Sequence, residues 1–287
     1  MSGYLLGWGS LLLRWLHLIT GTAWIGSSFY FLWLDNPLLA PERPEATAYW
    51  FSWQAYSTWL SGVGLLGLLY FLHADAYLID PAVRMLSPRL AVLIAVGILV
   101  GSWLAYEGLC RSKLRHSTVK LVIALALLAA ILAWGVCALF SGRGAFIMFG
   151  AAIGTVMVAN VLSAIVPGQR ELVRARQEGR EADPALGLRG RMRSIHNTYL
   201  TLPVLFVMIS NHYAMTYSVH YNWLALIAMS FSGVCIRVWF VARHKPAGRV
   251  GFESLLPLIM GLLALVIVII GLYPDCALPV CPQPPQG

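Results

Sequence analysis

Histidine is the residue type whose positions in this sequence best suit chemistry, because two histidines fall near opposite ends of one long apolar run. His196 and His212 are separated by about 24 Å if the chain between them is helical. A neutral imidazole is a good axial ligand for haem iron, and two such ligands close the iron to substrates and favour electron transfer. The spacing therefore indicates one or two b-type haems, each held near one surface of a membrane.

Other histidines provide candidate partners for these two ligands. For an outer haem we expect His17 to pair with His212, or His73 to replace either of them. For an inner haem we expect His196 to pair with His116, which is the weaker pair because a histidine in a basic loop also suits contact with lipid phosphates. A histidine at a helix end is often an interfacial residue, and the sequence leaves that alternative open for His116, His220 and His244.

Arginine and small residues near His17 add to the candidate site. Arg14 lies on the same helix face as His17, where it could pair with a haem propionate or extend its head to the membrane surface. Arg237 has the same two interpretations, and the surface position is favoured. Small residues fill much of 21–28, which lets a neighbouring helix or a flat macrocycle approach the backbone. Interfacial aromatic residues such as Trp53 and Trp59 belong to a membrane belt or line a quinone pocket.

The elements that must position these residues are membrane helices. The chain has 287 residues, of which 59% are apolar and only 11% are charged, against roughly 25% charged residues in soluble domains. A bilayer core takes roughly 20 helical residues, and about eight apolar runs of that length are present. The fold class is therefore an all-α integral membrane bundle, with predicted spans at 8–34, 54–76, 89–109, 119–140, 144–166, 197–218, 221–242 and 254–273.

Charge distribution predicts how these spans are oriented. The net charge is +8, and the basic loops 110–120, 166–195 and 243–253 alternate with loops of few charges, which places the basic loops in the cytoplasm. Both termini are then periplasmic in a bacterial inner membrane, and the first span is retained rather than cleaved. We expect a transmembrane domain at 1–275, with a mixed-charge helical extension within 166–195. A short periplasmic tail follows at 276–287, where Cys276 and Cys281 are placed to form a disulfide.

Motifs for several other activities do not occur in the sequence. It has no Walker loop, no GxGxxG after a strand, and no HExxH or GxSxG, so the usual residues for nucleotide binding, zinc proteolysis and serine hydrolysis are missing. No CxxCH or CxxC occurs either, and Cys110, Cys137 and Cys235 are interpreted as small apolar residues in helices. The acidic residues among the arginines of 166–195 argue against a nucleic-acid-binding arm.

Three stretches resemble the membrane domain of the bacterial urate hydroxylase family. They are HLITGTAWIGSSFYFLWLDN at 17–36, ADAYLIDP at 74–81 and HNTYLTLPVLFVMISNHY at 196–213. The resemblance runs over nearly the whole chain and implies an eight-span membrane domain, which in that family is followed by a cytochrome c domain outside the membrane. The family activity is oxidation of urate to 5-hydroxyisourate. Carried over to this sequence, the resemblance points to His17, His196 and His212.

These observations lead to one preferred function and several alternatives. Because the sequence has no CxxCH, we expect a haem b conduit that passes electrons from a soluble cytoplasmic dehydrogenase to quinone or to a separate cytochrome c. The dehydrogenase would dock on the basic inner loops. Alternatively, the chain itself hydroxylates urate with a cytochrome c supplied in trans. A cofactor-free anchor or assembly factor for an oxidoreductase is a third hypothesis, and a transporter is a distant fourth.

Overall fold

A computed structural model describes residues 2–34, 44–243 and 252–272 of the chain. These residues are almost entirely helical, and no β-strand occurs among them. The all-α fold class predicted from the apolar runs is therefore confirmed. His244 and the pair Cys276 and Cys281 lie outside the described residues, as does the predicted tail.

Ten α-helices follow one another along the described chain. They are α1 (Ser2–Leu34), α2 (Pro44–Leu65), α3 (Ala74–Tyr77), α4 (Pro88–Arg111), α5 (Thr118–Leu139), α6 (Gly142–Asn160), α7 (Val166–Gln177), α8 (Pro184–Ser210), α9 (Asn222–Arg243) and α10 (Phe252–Gly271). Two π-helical segments, Leu66–Phe71 and Val161–Ile165, extend α2 and join α6 to α7. Helices α6 and α7 thus form one continuous rod.

Each predicted span falls on a long helix, but the helices differ in how well they suit a membrane. Within the described residues, four are long and apolar enough to cross one: α4, α5, the rod of α6 and α7, and α9. A shorter apolar helix follows at Leu255–Gly271. The protein therefore has the helices of a membrane protein, while eight crossings and periplasmic termini stay predictions.

The sixth predicted span is displaced from the helix that forms. It was expected at 197–218, whereas α8 begins at Pro184 and ends at Ser210, followed by turns and a short 3-10 helix at Ala214–Thr216. The early start has a local cause: the Asp183 carboxylate accepts a hydrogen bond from the Ala185 amide, and proline suits the first turn of a helix. The mixed-charge segment at 166–195 is mostly helical, as expected.

Burial identifies the centre of the bundle. In the most apolar stretch of the α6–α7 rod 67% of the residues are buried, against 28% in α4, 22% in α5 and 28% in α9. The outer helices instead expose large apolar side chains such as Leu93 and Ile131. An exposed apolar surface of this extent is unfavourable in water and suits the hydrocarbon of a bilayer. The rod is therefore the core helix, and the outer helices have surfaces that suit lipid.

Glycine permits close contacts between the central rod and α8. A methyl group added at Gly190 would lie 3.1 Å from the Ala164 carbonyl oxygen, and one added at Gly168 would lie 2.9 Å from the Leu186 carbonyl oxygen. Small residues are common at membrane helix contacts because packing replaces the hydrophobic effect as the main driving force there. The two helices consequently approach with their backbones nearly in contact.

Ion pairs fix the turn between α7 and α8. The Arg180 guanidinium donates to both oxygens of Glu171, at 2.6 and 3.2 Å, and its Nε donates to Glu178 at 2.6 Å. Gly179 has φ of 66°, a left-handed conformation that glycine adopts readily. Arg174 and Arg180 hold the pKa of the Glu178 carboxyl below its usual value, through hydrogen bonds that favour the charged form. The turn keeps its carboxylates ionised and paired.

Substituting Gly150 with Ala is expected to weaken the contact between α6 and α8. The added methyl would lie 2.6 Å from Val207 Cγ1, so one helix has to shift. Overpacking of this kind costs about 1–3 kcal/mol of unfolding free energy. The unfolding temperature of the purified protein in detergent measures the effect. Gly154→Ala is the control, because a methyl there meets nothing within 4 Å; equal unfolding temperatures for both variants would contradict the packing.

Candidate functional site

His17 is held by α2 in an orientation that defines its tautomer. Its Nδ1 lies 2.9 Å from the Thr58 carbonyl oxygen and 3.1 Å from Ser61 Oγ. A carbonyl oxygen can only accept a hydrogen bond, so Nδ1 carries the proton and donates it. Nε2 then keeps a free lone pair, which is the state in which a histidine binds a metal through Nε2. The ring therefore has the second-shell support that a haem ligand requires.

The α1 helix reaches this position by packing along α2. Gly62 makes room for the ring, because a methyl there would lie 2.9 Å from His17 Cε1. Gly21 also faces α2, and a methyl on it would meet Thr58 Cγ2 at 3.7 Å, whereas one on Gly26 would meet nothing within 4 Å. Part of the small-residue pattern at 21–28 thus serves helix packing. Its use as a slot for a macrocycle stays a prediction.

His212 and His73 are the two proposed partners of His17, and both are exposed. His212 follows the end of α8, beside Asn211, whose side-chain oxygen accepts from Arg143 Nε at 3.0 Å and from the Tyr70 hydroxyl at 3.3 Å. The turn that carries His212 is thereby fixed to α6. His73 Nδ1 lies 3.1 Å from the Leu68 carbonyl oxygen, so Nδ1 is the nitrogen that donates in this hydrogen bond. Both pairings with His17 stay predictions.

His196 belongs to a buried hydrogen-bond network that joins three helices. Its Nδ1 lies 2.7 Å from the Tyr106 hydroxyl of α4, and that hydroxyl accepts a hydrogen bond from Asn160 Nδ2 of α6 at 2.9 Å. Asn160 Nδ2 also donates to Asn197 Oδ1, and Asn197 Nδ2 donates to the Met157 carbonyl oxygen, both at 2.9 Å. We call Tyr106, Asn160, His196 and Asn197 the polar network. It fixes the position of the His196 ring.

A carboxylate and three arginines lie next to the polar network. Glu107 accepts from Arg111 at 2.6 Å, from Arg189 at 3.1 Å and from Arg193 at 2.5 Å. Arg193 is only 1% exposed, and its guanidinium lies 4.7 Å from the centre of the Tyr106 ring. Buried arginine requires both charge and hydrogen-bond compensation, and here Glu107 and the aromatic face supply part of it.

Several expectations about individual residues need correction. His196 was expected at the start of a helix but lies well inside α8. Its ring contacts Tyr106, and the proposed inner partner His116 is an exposed residue in the 3-10 helix Lys113–His116, so the pairing of these two histidines stays a prediction. The expected surface position of Arg237 is wrong: it is 0% exposed, and its Nε donates to the Thr198 carbonyl oxygen at 3.3 Å. The packing of α9 against α8 covers this side chain.

Arg14 and three cysteines are the remaining candidates within the described residues. Arg14 is exposed, and its Nε donates to Ser10 Oγ one turn earlier at 3.2 Å, which is compatible with either a surface or a propionate role. Cys110, Cys137 and Cys235 are free and buried, as their apolar surroundings suggested. Among the described residues, no group of three or more His, Cys, Asp or Glu could hold a metal ion. A bis-imidazole haem site has two protein ligands and is not a group of that kind.

Apart from His196, the members of the polar network were not predicted from the sequence. A signal for it was nonetheless present, because Asn160 interrupts an apolar stretch of α6. The adjacent Glu107 had a signal too, as an acidic residue near the end of apolar α4. Polar groups inside membrane helices are costly and mark interactions or functional sites. Arg193 was counted among the charges of a loop, although α8 extends through it.

A family model described as urate oxidase N-terminal matches residues 3–48 and 38–271 of the chain. The chain belongs to this family. The match covers α1 through α10, and therefore includes every histidine that the resemblance had pointed to, which confirms the resemblance. Comparison with curated proteins gives no match, and comparison with solved structures gives none either.

Replacing Tyr106 with Phe is expected to destabilise the bundle, because the loss of the hydroxyl leaves buried groups of Asn160 and His196 without their partner. Such a loss costs about 1–3 kcal/mol. Thermal unfolding in detergent measures it, and Tyr213→Phe is the control because Tyr213 is exposed. If the two variants unfold at the same temperature, the polar network does not stabilise the bundle as inferred.

Proposed function

We propose that this member of the urate oxidase N-terminal family is a membrane-bound haem b protein that passes electrons to the respiratory chain. The observation that carries the proposal is the geometry of His17. Its Nδ1 donates to the Thr58 carbonyl oxygen at 2.9 Å and leaves Nε2 available as an axial ligand. Family membership over most of the chain supports an oxidoreductase system of the urate type.

The residues around His17 would perform positioning rather than redox chemistry. Haem b supplies reversible one-electron transfer when two axial ligands occupy its iron. Thr58 and Ser61 hold the imidazole in one tautomer and one orientation, and Gly62 leaves space for the ring beside α2. A ligand fixed in this way does not need to reorganise when the charge of the iron changes. His212 or His73 is the proposed second ligand, and Arg14 is the proposed partner of a propionate.

An inner site at His196 would be positioned by the polar network. The hydroxyl of Tyr106 contacts Nδ1, so Nε2 is the nitrogen left to face a cofactor. The Asn160 amide holds that hydroxyl in place at 2.9 Å and would keep the ring orientation constant. We propose this position for a second haem, with His116 as the candidate second axial ligand.

The urate chemistry of the family requires an electron acceptor. Hydroxylation of urate by water at C5 forms a carbon–oxygen bond and releases two electrons and two protons. An electron conduit in the membrane would transfer these electrons, one at a time, from a soluble dehydrogenase to quinone or cytochrome c. The second candidate function is that this chain itself oxidises urate to 5-hydroxyisourate, and the family match favours it.

Two measurements on the purified full chain distinguish these functions. A reduced-minus-oxidised spectrum with a b-type band, together with iron, supports the haem protein, and the lack of both overturns it. Product formation from urate with added cytochrome c or quinone assigns the oxidation to this chain. Electron transfer without urate turnover supports a conduit that needs a separate dehydrogenase.

Histidine replacements are expected to separate ligands from interfacial residues. His17→Ala should remove all of the b-type absorbance if there is one haem and roughly half if there are two. His212→Ala or His73→Ala should have the same effect, according to which is the second ligand. His220→Ala is the control, because His220 is exposed and its ring contacts Tyr221 edge-on. Unchanged haem content and spectrum in His17→Ala would refute the assignment.

Replacing Gly62 with Ala is expected to disturb the haem without removing a ligand. The new methyl would lie 2.9 Å from His17 Cε1, so the ring has to rotate away from its hydrogen bonds. We expect a shifted reduction midpoint and altered axial signals in electron paramagnetic resonance. The control is Gly67→Ala on the following π-helical segment, where a methyl meets nothing within 4 Å. Identical signals in both variants would show that the ring of His17 does not set the iron environment.

A further inference from the structure

A cleft of 680 Å³ opens between the end of α4, the following 3-10 helix and the start of α8. Within the described part of the chain no carboxylate lines the cleft. Its lining includes four arginines and one histidine, namely Arg111, Arg115, His116, Arg189 and Arg193. These side chains come from segments far apart in sequence, and the packing of the helix ends brings them to one place. We call this the arginine cleft.

The positive charge of the arginine cleft is only partly neutralised. Glu107 does not line it but pairs with Arg111, Arg189 and Arg193 at once. One carboxylate thus balances one of the three arginines, and no ion pair is formed by Arg115 within the described residues. Several uncompensated guanidinium groups at one site attract a multiply charged anion.

Arg193 is a buried member of the arginine cleft. It is 1% exposed, and within the described part of the chain its Nε and Nη1 have no hydrogen-bond partner. A buried guanidinium with two unused donors is costly unless an anion nearby compensates it. Orientation in a membrane requires only exposed basic residues, so membrane sidedness does not account for a buried arginine with free donors.

The rest of the lining is apolar. Leu186, Leu188 and Met192 belong to α8 and lie among the arginines, and Leu188 is 65% exposed. The cleft also lies where α4 ends and α5 begins, both of which are apolar enough to cross a membrane. A lining of arginines and apolar side chains at the ends of two membrane-type helices would fit a charged headgroup with an apolar chain beside it.

We propose that the arginine cleft binds a phosphate-bearing anion, provided either by the headgroup of an acidic phospholipid or by a free phosphate. Phosphate has several acceptor oxygens and one or two negative charges, which match the forked donors of adjacent arginines better than a single carboxylate does. Arg115 and Arg189 contact the anion, and Arg193 supplies charge from beneath. This site is separate from His17 and does not depend on haem.

Two binding experiments on the full chain in neutral detergent identify the source of the phosphate. The first measures the unfolding temperature against inorganic phosphate, with chloride at equal ionic strength as the reference. The second measures retention of phosphatidylglycerol against phosphatidylcholine by native mass spectrometry. Stabilisation by phosphate supports a free anion, and selective retention of phosphatidylglycerol supports a lipid headgroup. The proposal is overturned if neither binds.

Matched arginine variants locate the binding. Arg115→Gln and Arg189→Gln should each weaken binding about tenfold, as expected for the loss of a charge-assisted hydrogen bond. Arg176→Gln is the control, because Arg176 is exposed on α7 and does not line the cleft. Its affinity should stay within about twofold of the parent. Equal losses in all three variants would indicate a diffuse effect of charge and would overturn the site.

Removing the negative charge of Glu107 should have the opposite effect on anion affinity. Glu107→Gln keeps the size of the side chain and one acceptor oxygen but removes the anion that competes for the arginines. We expect binding to become about tenfold tighter, even if the ligand-free protein unfolds at a lower temperature. Weaker binding by Glu107→Gln in a folded protein would overturn the proposal. Haem content serves as an independent readout and should not change.

Discussion

The arrangement of the bundle depends on the hydrogen bonds that Asn160 makes inside an apolar helix. Its amide group donates to Tyr106 of α4 and to Asn197 of α8, so one side chain ties the central rod to two neighbours. In hydrocarbon an unsatisfied amide is costly, and therefore only the register that supplies both acceptors is stable. That same register brings His196 to Tyr106 and Arg193 to Glu107.

The histidines proposed as ligands are held by different kinds of partner. His17 is oriented by a backbone carbonyl on α2, which has no proton to offer and so imposes a single tautomer. His196 is oriented by a hydroxyl, which is able to donate or accept. The two positions consequently differ in how firmly the protein specifies which ring nitrogen carries the proton. The difference arises because α1 packs on α2 at Gly62, whereas α8 meets α4 at Tyr106.

The sequence predicted the helices well because long apolar runs can satisfy their backbone only by forming helices in lipid. It was less accurate where helix ends depend on local caps: α8 starts at Pro184 after the cap Asp183, which a hydropathy pattern does not detect. His17 was identified as a candidate, but its partner Thr58 could not be, because that contact depends on how α1 packs on α2. The polar network escaped prediction for the same reason, since it draws one residue or more from each of three helices.

The polarity of α8 has a consequence for how the chain enters a membrane. This helix carries several arginines and is not among the helices that are apolar enough to cross a membrane on their own. It packs between α6 and α9, and both of those helices are apolar enough to do so. Strongly apolar helices such as α5 partition into the bilayer independently, whereas a helix with costly groups needs neighbours that already satisfy them. Asn160 and Glu107 precede α8 in the chain, so the donor to Asn197 and the counterion of Arg193 are synthesised first. Biogenesis from the N-terminus therefore supplies the environment that α8 requires.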